Sequence, residues 1–169
     1  MLGLLQGRRV LVAACGSIAA VKTPLIVSAL VQAGAQVRCV VTASAARLVS
    51  PVALATLSRQ PCLQDVDQWD PARPRPLHIE LAEWADLVVV APLSATTLSR
   101  WVRGDGDGLL ASLLLACECP VLAAPAMNTA MWKHAGVRRN WGLLQDDPRV
   151  LPLAPGDGLL ACDRIGTGR

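Results

Sequence analysis

His78, Asn128 and Cys162 are residue types that a hydrophobic core does not call for, and each stands where the chain is expected to turn. Asn128 lies in PAMNTAMW, residues 125–132, directly after an apolar run at 120–124 that reads as a buried strand. An amide carries a donor and an acceptor, a geometry suited to a carboxylate or a ring carbonyl. The same residue makes a good helix N-cap, with Met127, Met131 and Trp132 expected to pack as core at helical spacing. His78 comes just before a short amphipathic helix that ends at Asp86. An imidazole titrating near neutrality at such a junction is equipped to act as general base or to orient a substrate; the plainer alternative is a cap or a satisfied buried contact. Cys162 sits in GLLACDRIGTGR, residues 158–169. Glycines on either side allow a loop to close over a site and deliver a thiol, although composition alone favours a frayed tail. His134, beside Lys133, reads as a solvated helical position without a role.

A second group of residues suits an anion. In CGSIAA, residues 15–20, Gly16 lets the backbone approach closely, Ser17 adds a hydroxyl, and the helix that follows at Ile18 favours negative charge at its head. The pattern is not GxGxxG, and an ordinary strand-to-helix turn explains it equally well. Thr42-Ala43-Ser44 and Pro92-Leu93-Ser94-Ala95-Thr96-Thr97 put further hydroxyls at helix heads, where capping accounts for one per helix.

These residues need a frame, and the chain supplies one. Apolar runs at 10–14, 37–41, 87–90, 121–124 and 150–153 alternate with helical segments, which argues for a Rossmann-like α/β fold, a three-layer sandwich around a central parallel sheet. Ile18, Val21, Leu25 and Ala29 are spaced as the core-facing stripe of the first helix, with Thr23-Pro24 read as an N-cap followed by proline. Leu109, Leu110, Leu113, Leu114 and Cys117 form a second stripe, and Ala95, Leu98, Trp101 and Val102 a third. In such folds ligands bind at the carboxyl ends of the strands, where every motif above falls. The Pro-rich stretch 70–76 reads as an extended surface loop, and residues 1–169 as one domain.

Composition narrows the function further. Hydrophobic residues are 53% and charged residues 17% of 169, yet no run approaches the roughly 18 apolar residues of a membrane span. The surplus fits buried parallel strands or a subunit interface. A net charge of +3 with scattered basic residues gives no nucleic-acid footprint. Six cysteines without a CxxC pair, with two histidines, give no zinc spacing. Buried free thiols, no metal and a cytoplasmic location are expected. A dinucleotide-dependent dehydrogenase lacks both GxGxxG and an acid at the end of the second strand, where Thr42 stands.

GSIAA (16–20), LHIELAEWAD (77–86), APLSATT (91–97), PAMNTAMW (125–132) and LACDRIGTGR (160–169) together resemble the homo-oligomeric flavin-containing cysteine decarboxylases over essentially the whole chain, with the octapeptide matching P-x-M-N-x-x-M-W at every defined position. The resemblance is closest to the branch acting on 4'-phosphopantothenoylcysteine in coenzyme A biosynthesis. It implies FMN bound between the subunits of a trimer or a multiple of trimers. The cofactor-binding residues it implies are Gly16, Ser17, Ile18, Thr42, Ser44, Pro92, Ser94, Thr96, Thr97, Ala126 and Met127. It also implies His78 as active-site base, Asn128 as grip on the cysteine carboxylate, and Cys162 as proton donor. Flavin oxidation to a thioaldehyde would supply the electron sink for loss of CO₂, and re-reduction of the enethiol would give 4'-phosphopantetheine. A phosphopantothenoylcysteine synthetase domain is a further implied partner. Two departures stand out: Thr96 replaces an amide, and Asp163 replaces a glycine beside Cys162. The alternatives within this resemblance are a peptidyl-cysteine oxidative decarboxylase and a non-catalytic FMN-binding regulatory subunit.

Overall fold

The apolar runs become strands because both of their faces are covered. A computed structural model describes residues 3–159 and 165–167. Strands β1 (Arg9–Ala14), β2 (Gln36–Val41), β3 (Cys62–Leu63), β4 (Leu87–Leu93), β5 (Val121–Pro125) and β6 (Val150–Pro152) form one parallel sheet in the order β3-β2-β1-β4-β5-β6. All residues of β1 from Val10 onward are buried. The chain builds outward in opposite directions from β1 and β4, so the crevice for a ligand opens at their carboxyl ends. Asp86 fastens the opposite end of this central pair: its carboxylate accepts from the backbone N–H of Arg9 at 2.9 Å and from the guanidinium at 2.6 Å. The two-residue β3 carries too short a pattern to register in sequence.

Two unlike layers cover the sheet. On one face lie α4 (Leu77–Trp84), α5 (Ala95–Arg103), α6 (Leu109–Ala116), α7 (Thr129–Lys133) and α8 (Ala135–Gln145). They contribute Leu81, Leu98, Leu109, Leu113, Trp132 and Trp141 to a large core. On the other face α1 (Thr23–Gln32), α2 (Ala43–Ala46) and α3 (Pro51–Ser58) enclose a smaller core of Val10, Val12, Val27, Val41 and Leu54. The α6 stripe is buried as expected, with Cys117 as its C-cap.

The stripe expected to bury the first helix does the reverse. Ile18, Val21, Leu25 and Ala29 are all exposed, and Ala20, Thr23 and Val27 face the sheet instead. Small inward side chains let the helix approach closely; the segment is apolar on nearly every side, so spacing alone did not choose the stripe. Ile18–Lys22 is a 3-10 turn leading into α1. Thr23 is not the cap: it is the first residue of α1, and its hydroxyl donates to the carbonyl of Ala91 at 3.2 Å inside the core. His78 falls within the first turn of α4 rather than before the helix. Met131 is 48% exposed, unlike the core neighbours Met127 and Trp132. His134 caps α8, accepting from Gly136 N–H at 3.2 Å.

An antiparallel hairpin, β7 (Asp157–Leu159) and β8 (Ile165–Thr167), follows the sheet. Gly166 is pressed on the head of α7, where a Cβ would lie 2.4 Å from the Thr129 hydroxyl. Residues 160–164, and with them Cys162 and Asp163, lie outside the described residues. Among the described residues, no helix is long and apolar enough to cross a membrane.

Candidate active site at the carboxyl ends of the strands

Three neighbouring strands, β2, β1 and β4, each end in a hydroxyl that caps the next helix. Ser17 accepts from Ala19 N–H at 3.4 Å, Thr42 from Ala45 N–H at 3.2 Å, and Ser94 from Thr97 N–H at 3.2 Å. Ser94 also donates to the Thr97 hydroxyl at 3.2 Å. Capping uses the acceptor side of these groups and orients the loops, so that backbone N–H groups and hydroxyls converge on one crevice.

The loops are drawn together by contacts that only small residues permit. A Cβ on Gly16 would lie 2.5 Å from the Ser44 Cβ, so glycine is what lets the β1 and β2 loops touch. The Ala91–Pro92 peptide is cis, and the Pro92 carbonyl accepts from Cys15 N–H at 3.0 Å. Ala126 N–H donates to the Leu93 carbonyl at 3.2 Å, which brings the start of PAMNTAMW beside the β4 loop. Ala126 and Met127 are buried, whereas Ile18 and Thr96 are exposed. Cys15 is fully buried beneath the loops; burial raises its thiol pKa despite hydrogen bonds with Thr97 and Ser94 that act the other way.

A cleft of about 140 Å³ lies against this crevice, lined by Thr42, Ser44 and Thr97 together with Asp65, Arg100 and Asp107. Sequence reading missed the last three. Asp65 lies in a turn after β3, and its carboxylate accepts from Leu109 N–H at 2.8 Å, capping α6 from 44 residues away. Hydroxyl and N–H donors on helix heads, with the Arg100 guanidinium from the second turn of α5, suit a phosphate ester, and the Gly16–Ser44 approach leaves the backbone accessible to it. The residues therefore fit the phosphate end of a flavin mononucleotide.

Neither His78 nor Asn128 lines that cleft. Asn128 is exposed at the head of α7, where its carbonyl oxygen accepts from Ala130 N–H at 2.8 Å; the NH₂ end of the amide is the donor suited to a carboxylate. The Nδ1 atom of His78 is buried and has no hydrogen-bond partner among the described residues; the ring meets Trp69 edge-on, with centroids 6.3 Å apart. Among the described residues Gln68 Oε1 and Thr129 Oγ1 are buried and orphaned in the same way, and a buried polar atom of this kind calls for a partner. The cysteines described are all free. Burial pushes Cys39 and Cys117 up to about 11 and Cys62 up to about 12, so these thiols are protonated and inert at neutral pH.

Comparison with known proteins follows the same lines. The Flavoprotein family profile matches residues 2–169. The chain is 40% identical over 167 residues to the coenzyme A biosynthesis bifunctional protein CoaBC of Bacillus subtilis, covering 98% of this chain and 40% of that protein. The chain thus spans about two fifths of the length of the curated relatives it matches. Among solved structures, it resembles a cysteine-to-serine mutant of PPC decarboxylase complexed with pantothenoylaminoethenethiol, with a TM-score of 0.88, 35% identity, and coverage of 96% of this chain and 90% of the other. It also resembles the FMN-dependent cysteine decarboxylase SpaF, with a TM-score of 0.83, 30% identity, and coverage of 98% and 91%.

Proposed function

We propose, from the premise that this chain belongs to the Flavoprotein family, that residues 1–169 form one FMN-binding domain that decarboxylates 4'-phosphopantothenoylcysteine to 4'-phosphopantetheine. The observation that carries the reading is the meeting of two parts at one sheet end. The hydroxyl-lined crevice of β2, β1 and β4 suits the flavin phosphate, and the Asn128 corner, where Gly166 seats β8 against Thr129, suits the substrate. In sequence, Cys162 stands three residues before the start of β8.

The chemistry that bound FMN would supply is two-electron oxidation of the cysteinyl end, which provides the electron sink that loss of CO₂ requires, and return of the same two electrons to the enethiol afterwards. The chain's own residues then have separate tasks. Ser17, Ser44 and Thr97 would donate to the phosphate and ribityl oxygens, Ser94 would orient Thr97 by donating to its hydroxyl, and Gly16 would keep the backbone close. Asn128 grips the carboxylate through its NH₂ end and orients it for departure. His78, with its unpartnered Nδ1, takes a proton near the thiol end of the substrate. Cys162 returns a proton to the enethiol carbon. The pairing of an enethiol ligand with a cysteine-to-serine substitution in the neighbouring PPC decarboxylase supports that last assignment.

The same reading makes the protein an oligomer of threefold symmetry, working in the cytoplasm alongside a phosphopantothenoylcysteine synthetase domain. The exposed apolar row of Ile18, Val21 and Leu25 beside the crevice supports an interface there.

The test is a visible absorption spectrum of the purified protein followed by addition of 4'-phosphopantothenoylcysteine with CO₂ trapping. A flavin band with CO₂ release is expected. Cys162→Ser should still release CO₂ and accumulate enethiol; normal pantetheine output from that variant would remove the thiol from the mechanism. A flavin band without CO₂ would replace the enzyme with a binding protein.

A further inference from the structure

The cleft beside the crevice contains a charged device that the hydroxyl loops do not explain. Arg100 is one turn beyond Thr97 on α5 and lines the same cleft as Thr42 and Ser44. It is the one cationic side chain lining that cleft among the described residues. Its only ion pair among the described residues is a loose one: Nη2 lies 3.6 Å from Asp107, whose side chain is 82% exposed. The second carboxylate of the cleft, Asp65, is differently placed, since it is tied to the head of α6 through Leu109 N–H and its charge is offset by that helix dipole.

We infer that Arg100 is the phosphate-reading residue of the flavin site, selecting the mononucleotide over riboflavin, and that Asp107 is its resting partner until phosphate arrives. This rests on the flavin reading above and adds to it the group that sets cofactor specificity. A surface carboxylate at 3.6 Å holds an arginine weakly, whereas a phosphate dianion accepts two parallel N–H bonds from the planar guanidinium. Neutral hydroxyls alone distinguish phosphate from a terminal hydroxyl poorly; a guanidinium supplies the charge that riboflavin lacks.

The experiment is fluorescence titration of the flavin-depleted full chain with FMN and with riboflavin, for wild type, Arg100→Gln and Asp107→Asn. Arg100→Gln should weaken FMN about tenfold to a hundredfold, the loss of a charge-assisted contact, and leave riboflavin binding unchanged. Asp107→Asn should tighten FMN about twofold to fivefold by releasing the arginine, in a variant altered only at an exposed side chain. Raising salt should weaken FMN in the wild type and have little effect in Arg100→Gln. A loss under tenfold in Arg100→Gln, an equal loss for both flavins, or no tightening in Asp107→Asn would overturn the assignment. A wild-type protein that binds neither flavin would instead sink the flavin reading on which it stands.

Discussion

Helices α6 and α1 cover opposite faces of the sheet, and they spend their apolar residues in opposite ways. α6 buries Leu109, Leu110, Leu113 and Leu114 completely or nearly so. α1 and the 3-10 turn before it face the sheet with Ala20, Thr23 and Val27 and leave Ile18 54%, Val21 52% and Leu25 71% exposed. Of the α6 leucines only Leu115 is left exposed. The α1 side ends in a row of apolar groups in solvent, beside the loop that carries Gly16 and Ser17. The difference separates residues that hold the fold from residues that do not: α6 holds it, and α1 leaves an apolar row that the proposed oligomer would cover.

The largest effect that sharpens this contrast is Leu113→Ala, which should cost about 3 kcal/mol, since a fully buried leucine loses both its transfer energy and the packing around it. A urea melt reads it; a cost below about 1 kcal/mol would mean that the α6 core is loosely packed. Leu25→Glu should change the melt of the protomer hardly at all, because the side chain is already in water, but should shift the mass measured by light scattering toward the monomer. An unchanged mass would remove α1 from the interface. The smallest effect belongs to the Arg9–Asp86 clasp at the amino ends of β1 and β4. Hydrogen bonding from the Arg9 side chain, and then from its backbone, lowers the Asp86 carboxyl from 3.8 to about 2. A carboxyl depressed in the folded state stabilises above its unfolded pKa and loses that contribution as pH falls through the folded one. Wild type should therefore lose more stability between pH 4 and pH 2 than Asp86→Asn does, as followed by thermal melts across that range.

Much of the frame was legible because its signals are local. Continuous Val, Ala and Leu runs can be buried on both faces only in a covered sheet, and five of the six sheet strands announce themselves this way. Serine and threonine at the strand ends announced the caps, and Asn128 its role at the head of α7. The site was legible only where one segment carries it. Asp65, Arg100 and Asp107 escaped notice because each looks like a solvated charge until the cleft assembles around it. Thr23 looked like a cap because its neighbour is proline, and nothing in its segment marks the Ala91 carbonyl 68 residues away as its partner.

By itself, then, the sequence determined five strands of the sheet, the helices between them that carry an apolar stripe, and which hydroxyls and amides stand at the strand ends, since these follow from periodicity and from the conformations that glycine, proline and short polar side chains prefer. The tertiary structure alone decided which side of α1 is buried, which carboxylate caps α6, and which arginine faces the crevice. Periodicity fixes the phase of residues relative to one another, but when a helix is apolar on nearly every side, only the shape of the surface it packs against selects the side that goes inward.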